Sequence, residues 1–118
     1  MVQNKQSDNF VDLFLKIQRA ARELDRSINQ ALGISINEYL LLEVISETPM
    51  SQKQIAEDLT LSEASISKIV YSLEKNELVG RASAGKDRRQ NLINLTDPGR
   101  QKLNLARVVV KSIEFSFK

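Results

Sequence analysis

The sequence predicts a mainly α fold with a small β-hairpin, and three observations predict it. Between Met50 and Leu95, two short amphipathic segments each follow a serine cap, and two strand-like runs then flank a basic tip. Ahead of them stands a long segment with a heptad-like apolar stripe, and behind them one that is apolar on two sides. Helix, turn, helix and hairpin in that order make a winged helix-turn-helix, set between long N- and C-terminal helices.

Residues 1–7 are polar and are expected to fray. From residue 8 the apolar positions Phe10, Phe14, Ile17, Ala21, Leu24, Ile28 and Ala31 alternate spacings of four and three. That stripe predicts one helix over about 8–32, ended by Gly33. Val11, Leu13 and Ala20 widen it, so the helix is expected to pack against more than one neighbour. Ser35-Ile36-Asn37-Glu38 is a capping box, in which the hydroxyl accepts from the backbone N–H three residues on and the carboxylate reaches back. It opens a helix through about Ser46, with Tyr39, Leu40, Leu41, Leu42, Val44 and Ile45 mostly buried, until Glu47-Thr48-Pro49 breaks it.

Ser51-Gln52-Lys53-Gln54 is a second box, and its short helix turns Ile55, Ala56 and Leu59 inward. Thr60-Leu61-Ser62 provides a turn and a fresh cap. The next helix buries an i, i+3, i+4, i+7 stripe of Ile66, Ile69, Val70 and Leu73. Residues 79–84 and 90–96 are the strand-like runs, around Gly85-Lys86-Asp87-Arg88-Arg89. Thr96 caps a last helix over about 97–116, where Asp97 and Pro98 suit the first turn.

That last helix sets Leu103, Ala106, Val110, Ile113 and Phe117 on one side, with Leu105, Val108, Val109 and Phe115 on the other. A helix apolar on two sides needs cover on two sides, which so small a domain cannot supply. The first and last helices are therefore expected to join two copies, through Phe10, Phe14, Ile17, Leu103, Val110, Ile113 and Phe117.

Composition bounds the chemistry. The 118 residues suit one domain, and 42% hydrophobic residues suffice for its core. With no cysteine there is no disulfide or thiol chemistry, and with no histidine the commonest metal ligand and general base are gone. We find no nucleophile–base pair, metal-ligand cluster or glycine-rich phosphate loop, so no enzyme, cofactor or metal is expected. There is no signal-peptide pattern and no apolar run near membrane-spanning length, so the chain is expected to be cytoplasmic, away from membranes. The net charge of +2 is mild, but it is unevenly spread. Residues 1–50 carry five Lys/Arg against seven Asp/Glu, and residues 51–118 twelve against eight. The basic excess therefore sits with the winged part.

At about 100° per residue, the face opposite the buried stripe of the 62–76 helix holds Ala64, Ser67, Lys68, Tyr71 and Lys75. Glu63, Glu74 and Glu77 lie off its centre or beyond it. Small and hydroxyl side chains let the backbone approach a major groove, lysines meet phosphates, and a carboxylate there would repel them. Such a face alone is common on solvated helices; the basic tip that follows it decides the reading. Lys86, Arg88 and Arg89 stand against a single acid, Asp87, two residues from Arg89 and close enough to pair with it. A basic wing would meet a minor groove and its flanking phosphates while the helix reads the major groove.

Several runs together resemble the MarR (multiple antibiotic resistance regulator) family of bacterial transcription regulators. They are 36–42 (Ile-Asn-Glu-Tyr-Leu-Leu-Leu), 50–56, 65–70, Leu73-Glu74 with Leu78-Val79, Asp87-Arg88-Arg89 and Leu95-Thr96-Asp97-Pro98-Gly99-Arg100. The resemblance implies a homodimeric repressor on a palindromic operator. It implies Ser62, Ser65, Ser67, Lys68 and Tyr71 at bases and phosphates of the major groove, and Ser51 and Gln52 at a helix N-terminus near the DNA backbone. It places Arg89 in the minor groove, oriented by Asp87, and adds release by a small aromatic or anionic effector. Members usually carry one more C-terminal helix, so the dimerisation part here is expected to be either more economical or shortened. The expected division is dimerisation helices over 1–34 and 97–118 and a DNA-binding winged part over 35–96. The alternative is a winged helix whose same surface binds a partner protein instead of DNA.

Overall fold

The computed structural model describes residues 5–84 and 87–116, with side chains over 9–82 and 91–114. The elements run α1 (Lys5–Leu32), α2 (Ile36–Val44), β1 (Met50–Ser51), α3 (Gln52–Leu59), α4 (Glu63–Lys75), β2 (Val79–Ala84), β3 (Asp87–Leu95) and α5 (Asp97–Ser116). Local chemistry sets most of the boundaries. Gly33, at φ +70°, ends α1 in the left-handed conformation that a residue without Cβ adopts freely. Both capping boxes form completely: Ser35 Oγ accepts from Glu38 N–H at 3.1 Å while Glu38 Oε1 accepts from Ser35 N–H at 2.9 Å. Ser51 and Gln54 repeat this at 3.1 and 3.0 Å.

The core lies where α2, α3, α4 and α5 converge on the sheet. Leu41, Leu42, Ile55, Ile66, Val70, Leu73, Ile93, Leu103 and Ala106 are completely buried there, joined by Ile28 from the far part of α1. Among the described residues no polar or charged one is buried. The caps and turns therefore settle their hydrogen bonds at the surface, and the interior is purely apolar.

α1 begins at Lys5, inside the stretch expected to fray, and two features of the sheet also differ from the sequence expectation. The sheet has three strands in the order β1-β3-β2, because Met50 and Ser51 pair antiparallel with Ile93 and Leu92. Two residues are too few to show an alternating pattern, and Ser51 serves at once as strand and as helix cap. β3 also starts at Asp87 instead of residue 90, with Ala84 opposite Asp87 and a break in register between Ser83 and Ala84.

The start of α5 is fastened to the end of α4. Thr96 Oγ1 accepts from Gly99 N–H at 3.0 Å and donates to the Glu77 carbonyl at 2.7 Å. A Cβ on Gly99 would run into the Leu78 carbonyl oxygen, so only glycine permits this approach. Further along, Arg107 grips Glu43 of α2 with two donors, Nη2 to Oε1 at 2.7 Å and Nε to Oε2 at 3.2 Å. Tyr39 Oη donates to the same carboxylate at 2.7 Å. The arginine holds the Glu43 carboxyl below its ordinary value. Burial, with the glutamate beside it, pushes the Tyr39 phenol up to about 12.

The other end of α1 stands apart from this core in a molecule measuring 65 × 28 × 21 Å. Phe10, Val11, Leu13, Phe14, Leu15 and Ile17 are all 44–68% exposed. Expected dimer residues Phe10, Phe14 and Ile17 are thus on the open surface. Leu103 is corrected: it is fully buried in its own protomer's core and has no surface left for a partner. Val110 packs partly on the same core and Ile113 is partly exposed, whereas Phe117 lies outside the described residues.

Candidate nucleic-acid interface

Helix α4 builds the centre of the surface. Ile66, Val70 and Leu73 are sealed in the core, which forces the opposite side outward. Ala64, Ser67, Lys68, Tyr71 and Lys75 are all exposed, Tyr71 at 69%. Glu74, the acid nearest this face, is occupied: its Oε1 takes Arg81 Nε and Nη2, each at 3.0 Å. The face therefore offers hydroxyl, phenol and ammonium groups, and its nearest carboxylate is already matched to a guanidinium.

The helix N-termini behave differently from exposed contacts. Ser62 Oγ accepts from Ser65 N–H at 3.1 Å and donates to Ser65 Oγ at 2.9 Å. Both hydroxyls are thereby tied into the cap, and the positive end of α4 opens to solvent around them. Ser51 caps α3 in the same way, so the two helices each present a capped N-terminus. The Thr60 turn between them takes a left-handed φ of 56°, with Leu61 N–H bonded back to the Ala56 carbonyl at 3.0 Å.

Gln52 is the first residue of α3 and meets Arg81 across the surface. With its amide turned so that both ends are satisfied, its oxygen accepts from Arg81 Nη1 at 3.3 Å and Nη2 at 3.1 Å. Arg81 thus joins β2 to α3 and α4 at once. Sequence reasoning singled out Gln52 but missed Arg81, because its partners lie 29 and 7 residues away in different elements. The excess of cations over residues 51–118 was the only hint.

Of the residues expected at the wing, Lys86 lies outside the described residues, as do the side chains of Asp87, Arg88 and Arg89. The backbone of 87–89 belongs to β3. Among the described residues no helix is long and apolar enough to cross a membrane.

A family model described as MarR family matches residues 32–90, the stretch from the end of α1 into β3. The chain is 34% identical over 85 residues to a putative transcriptional regulatory protein for the hcr operon of Thauera aromatica, covering 71% of this chain and 51% of that one. It is 28% identical over 104 residues to the HTH-type transcriptional regulator MhqR of Bacillus subtilis, covering 83% and 70%. The chain thus spans about half the length of the first of these relatives. Its structure superposes on the transcriptional regulator BldR from Sulfolobus solfataricus with a TM-score of 0.85 at 25% identity, over 99% of this chain and 85% of the other.

Proposed function

Because this chain belongs to the MarR family, we propose that it is a homodimeric, sequence-specific double-stranded DNA-binding transcription regulator, a repressor on a palindromic operator. The observation that carries the reading is the outward face of α4, with Ser67, Lys68, Tyr71 and Lys75 exposed and Glu74 neutralised by Arg81. Each subunit sets α4 in a major groove, flanked by its wing, with half-sites about one helical turn apart. Lys86, Arg88 and Arg89 supply the wing's charge, and Asp87 orients Arg89.

Residues 35–96 form the DNA-binding part in this reading, and 1–34 with 97–118 the dimerisation part. The exposed Phe10–Ile17 surface supports the second assignment. The protein acts in the cytoplasm. A small aromatic or anionic effector, bound between the two parts, releases it from DNA; that step rests on the family alone.

The test is selection of bound genomic fragments followed by gel-shift titration across salt concentrations. Lys68→Ala is expected to weaken binding and to lower the salt slope by about one unit, as loss of a phosphate contact does. Arg89→Ala is expected to weaken binding with folding intact. Flat titrations with every fragment at low salt would instead favour a surface made for a protein partner. A compound screen on the bound complex tests the effector.

A further inference from the structure

We propose that Arg81 is a positioning residue for DNA binding, which fixes the Gln52 amide so that its NH2 group faces the DNA backbone. The inference rests on the DNA-binding reading and deepens it. An amide has one accepting end and one donating end, and a phosphate can use only the donating end. A guanidinium has donors only, so it selects the oxygen of any amide it touches. Arg81 is itself held by Glu74, which receives Nε and Nη2 at 3.0 Å. Its remaining reach goes to the Gln52 oxygen at 3.1 and 3.3 Å.

The order carboxylate, guanidinium, amide turns the Gln52 oxygen toward Arg81, which leaves the NH2 end of this first residue of α3 for another acceptor, in the proposal a phosphate. Backbone N–H groups and the helix dipole already favour an anion at that end. The same contact cancels the Glu74 charge beside α4, and ties the base of the wing to both helices of the motif. Arg81 itself touches no base or phosphate in this arrangement; it acts through Gln52 and Glu74.

The experiment uses the full chain and a duplex that the wild-type protein selects from a random-sequence pool. Arg81→Met is expected to cost about tenfold in affinity, the size of one hydrogen bond to a charged group. Gln52→Met is expected to cost a similar factor, and the double variant no more than the worse single one, because both remove one linked contact. Glu74→Gln placed on Arg81→Met is expected to recover part of the loss by removing the bared charge. In NMR spectra of the free protein, the Gln52 side-chain NH2 signals are expected to move in Arg81→Met.

Losses that add in the double variant, an affinity unchanged in Arg81→Met, or NH2 signals that stay in place would each overturn the proposal. If Arg81→Met does not fold, Arg81→Lys keeps the charge but not the fork. It is then expected to bind more weakly than wild type at an unchanged melting temperature. Failure of the wild-type protein to select any duplex sinks the DNA-binding reading itself, while the NMR measurement still judges the Arg81–Gln52 link.

Discussion

Leu41 and Leu42 on α2 with Ile45 at its C-terminal cap, and Phe10, Phe14 and Ile17 on α1, are alike in chemistry, yet the first three are 0–2% exposed and the second three 51–68%. The winged part closes its interior within the chain: α2, α3 and α4, the start of α5 and a three-stranded sheet cover one another, and among the described residues no polar or charged one is buried there. The outer part of α1 has no such cover. Fully burying a large apolar side chain is worth about 1.5–3 kcal/mol. Even at half that value, six such residues on each of two copies exceed the lower end of an association cost of about 4–15 kcal/mol. The difference teaches that one region is finished by folding, whereas the other, in the dimer proposed above, is finished by assembly.

The largest expected effect separates the two regions directly. Leu42→Ala, at a fully buried site, is expected to lower the free energy of unfolding by about 2–5 kcal/mol. Phe14→Ala removes a larger side chain but is expected to show its cost through assembly, as a shift toward single subunits on dilution in sedimentation. Urea unfolding at several protein concentrations distinguishes the two. A Phe14→Ala loss independent of concentration, or a wild-type protein that sediments as a single subunit throughout, would remove the distinction.

Next in size is Gly99→Ala. The added Cβ would meet the Leu78 carbonyl and crowd Leu95 Cδ1 at 2.9 Å. Backbone atoms cannot rotate aside, so α5 must lift from the end of α4. A loss of about 1–3 kcal/mol is expected, as for overpacking elsewhere, and denaturant unfolding measures it. Because Thr96 and Gly99 lock the two helices together, operator affinity is expected to fall as well. Full stability in this variant would mean that the joint is looser than its geometry shows.

Much of this was legible in the sequence because it is local. Both capping boxes, the Ser62 cap and the stripe of α4 depend on residues within a few positions of one another, and each formed as its spacing implied. Long-range pairing was not legible. β1 is too short to show a period, and nothing near Arg81 announces Gln52 or Glu74 as its partners. Leu103 shows a subtler limit. It shares a side of α5 with Val110 and Ile113, but a stripe says which residues face together and not what covers them. Position along the helix decides that: Leu103 and Ala106 near the start of α5 lie in the core, while Val110 and Ile113 further along the same side are only partly buried.

The joint between α2 and α5 is expected to reveal itself through pH. Tyr39 has its pKa raised from 10.0 to about 12, chiefly by burial and then by its hydrogen bond to Glu43. A raised value favours the neutral phenol in the folded state. Its contribution to stability is therefore complete below pH 10 and lost as pH rises toward 12. Glu43 works in the opposite sense, because its lowered pKa gives stability that disappears as acid protonates the folded carboxylate. In Tyr71→Phe, Tyr39 is the one tyrosine left. Its phenolate absorbance is expected to reach half its height near 12, and at a lower pH, still above 10.0, once Glu43→Gln is added, because burial remains. Half-ionisation near 10 with Glu43 present would show that the carboxylate and burial do not act on the phenol as described.

The smallest expected change is a gain, and it lies where the finished region still carries strain. Glu77 takes φ +62° in the turn between α4 and β2. The left-handed conformation costs a residue with a Cβ about 1–2 kcal/mol. Glycine escapes that cost but gives the unfolded chain more freedom, worth about 0.4–1 kcal/mol. Glu77→Gly is therefore expected to raise stability by up to about 1 kcal/mol in urea unfolding. The bonds that hold the turn survive the change, because Glu77 uses only its backbone: its N–H to the Glu74 carbonyl at 2.9 Å, and its carbonyl to Thr96 Oγ1 at 2.7 Å. Loss of stability would mean that the Glu77 side chain contributes more than the strain it imposes. A gain would show that even the self-sufficient half of this molecule keeps a strained residue where α4 hands the chain to the wing.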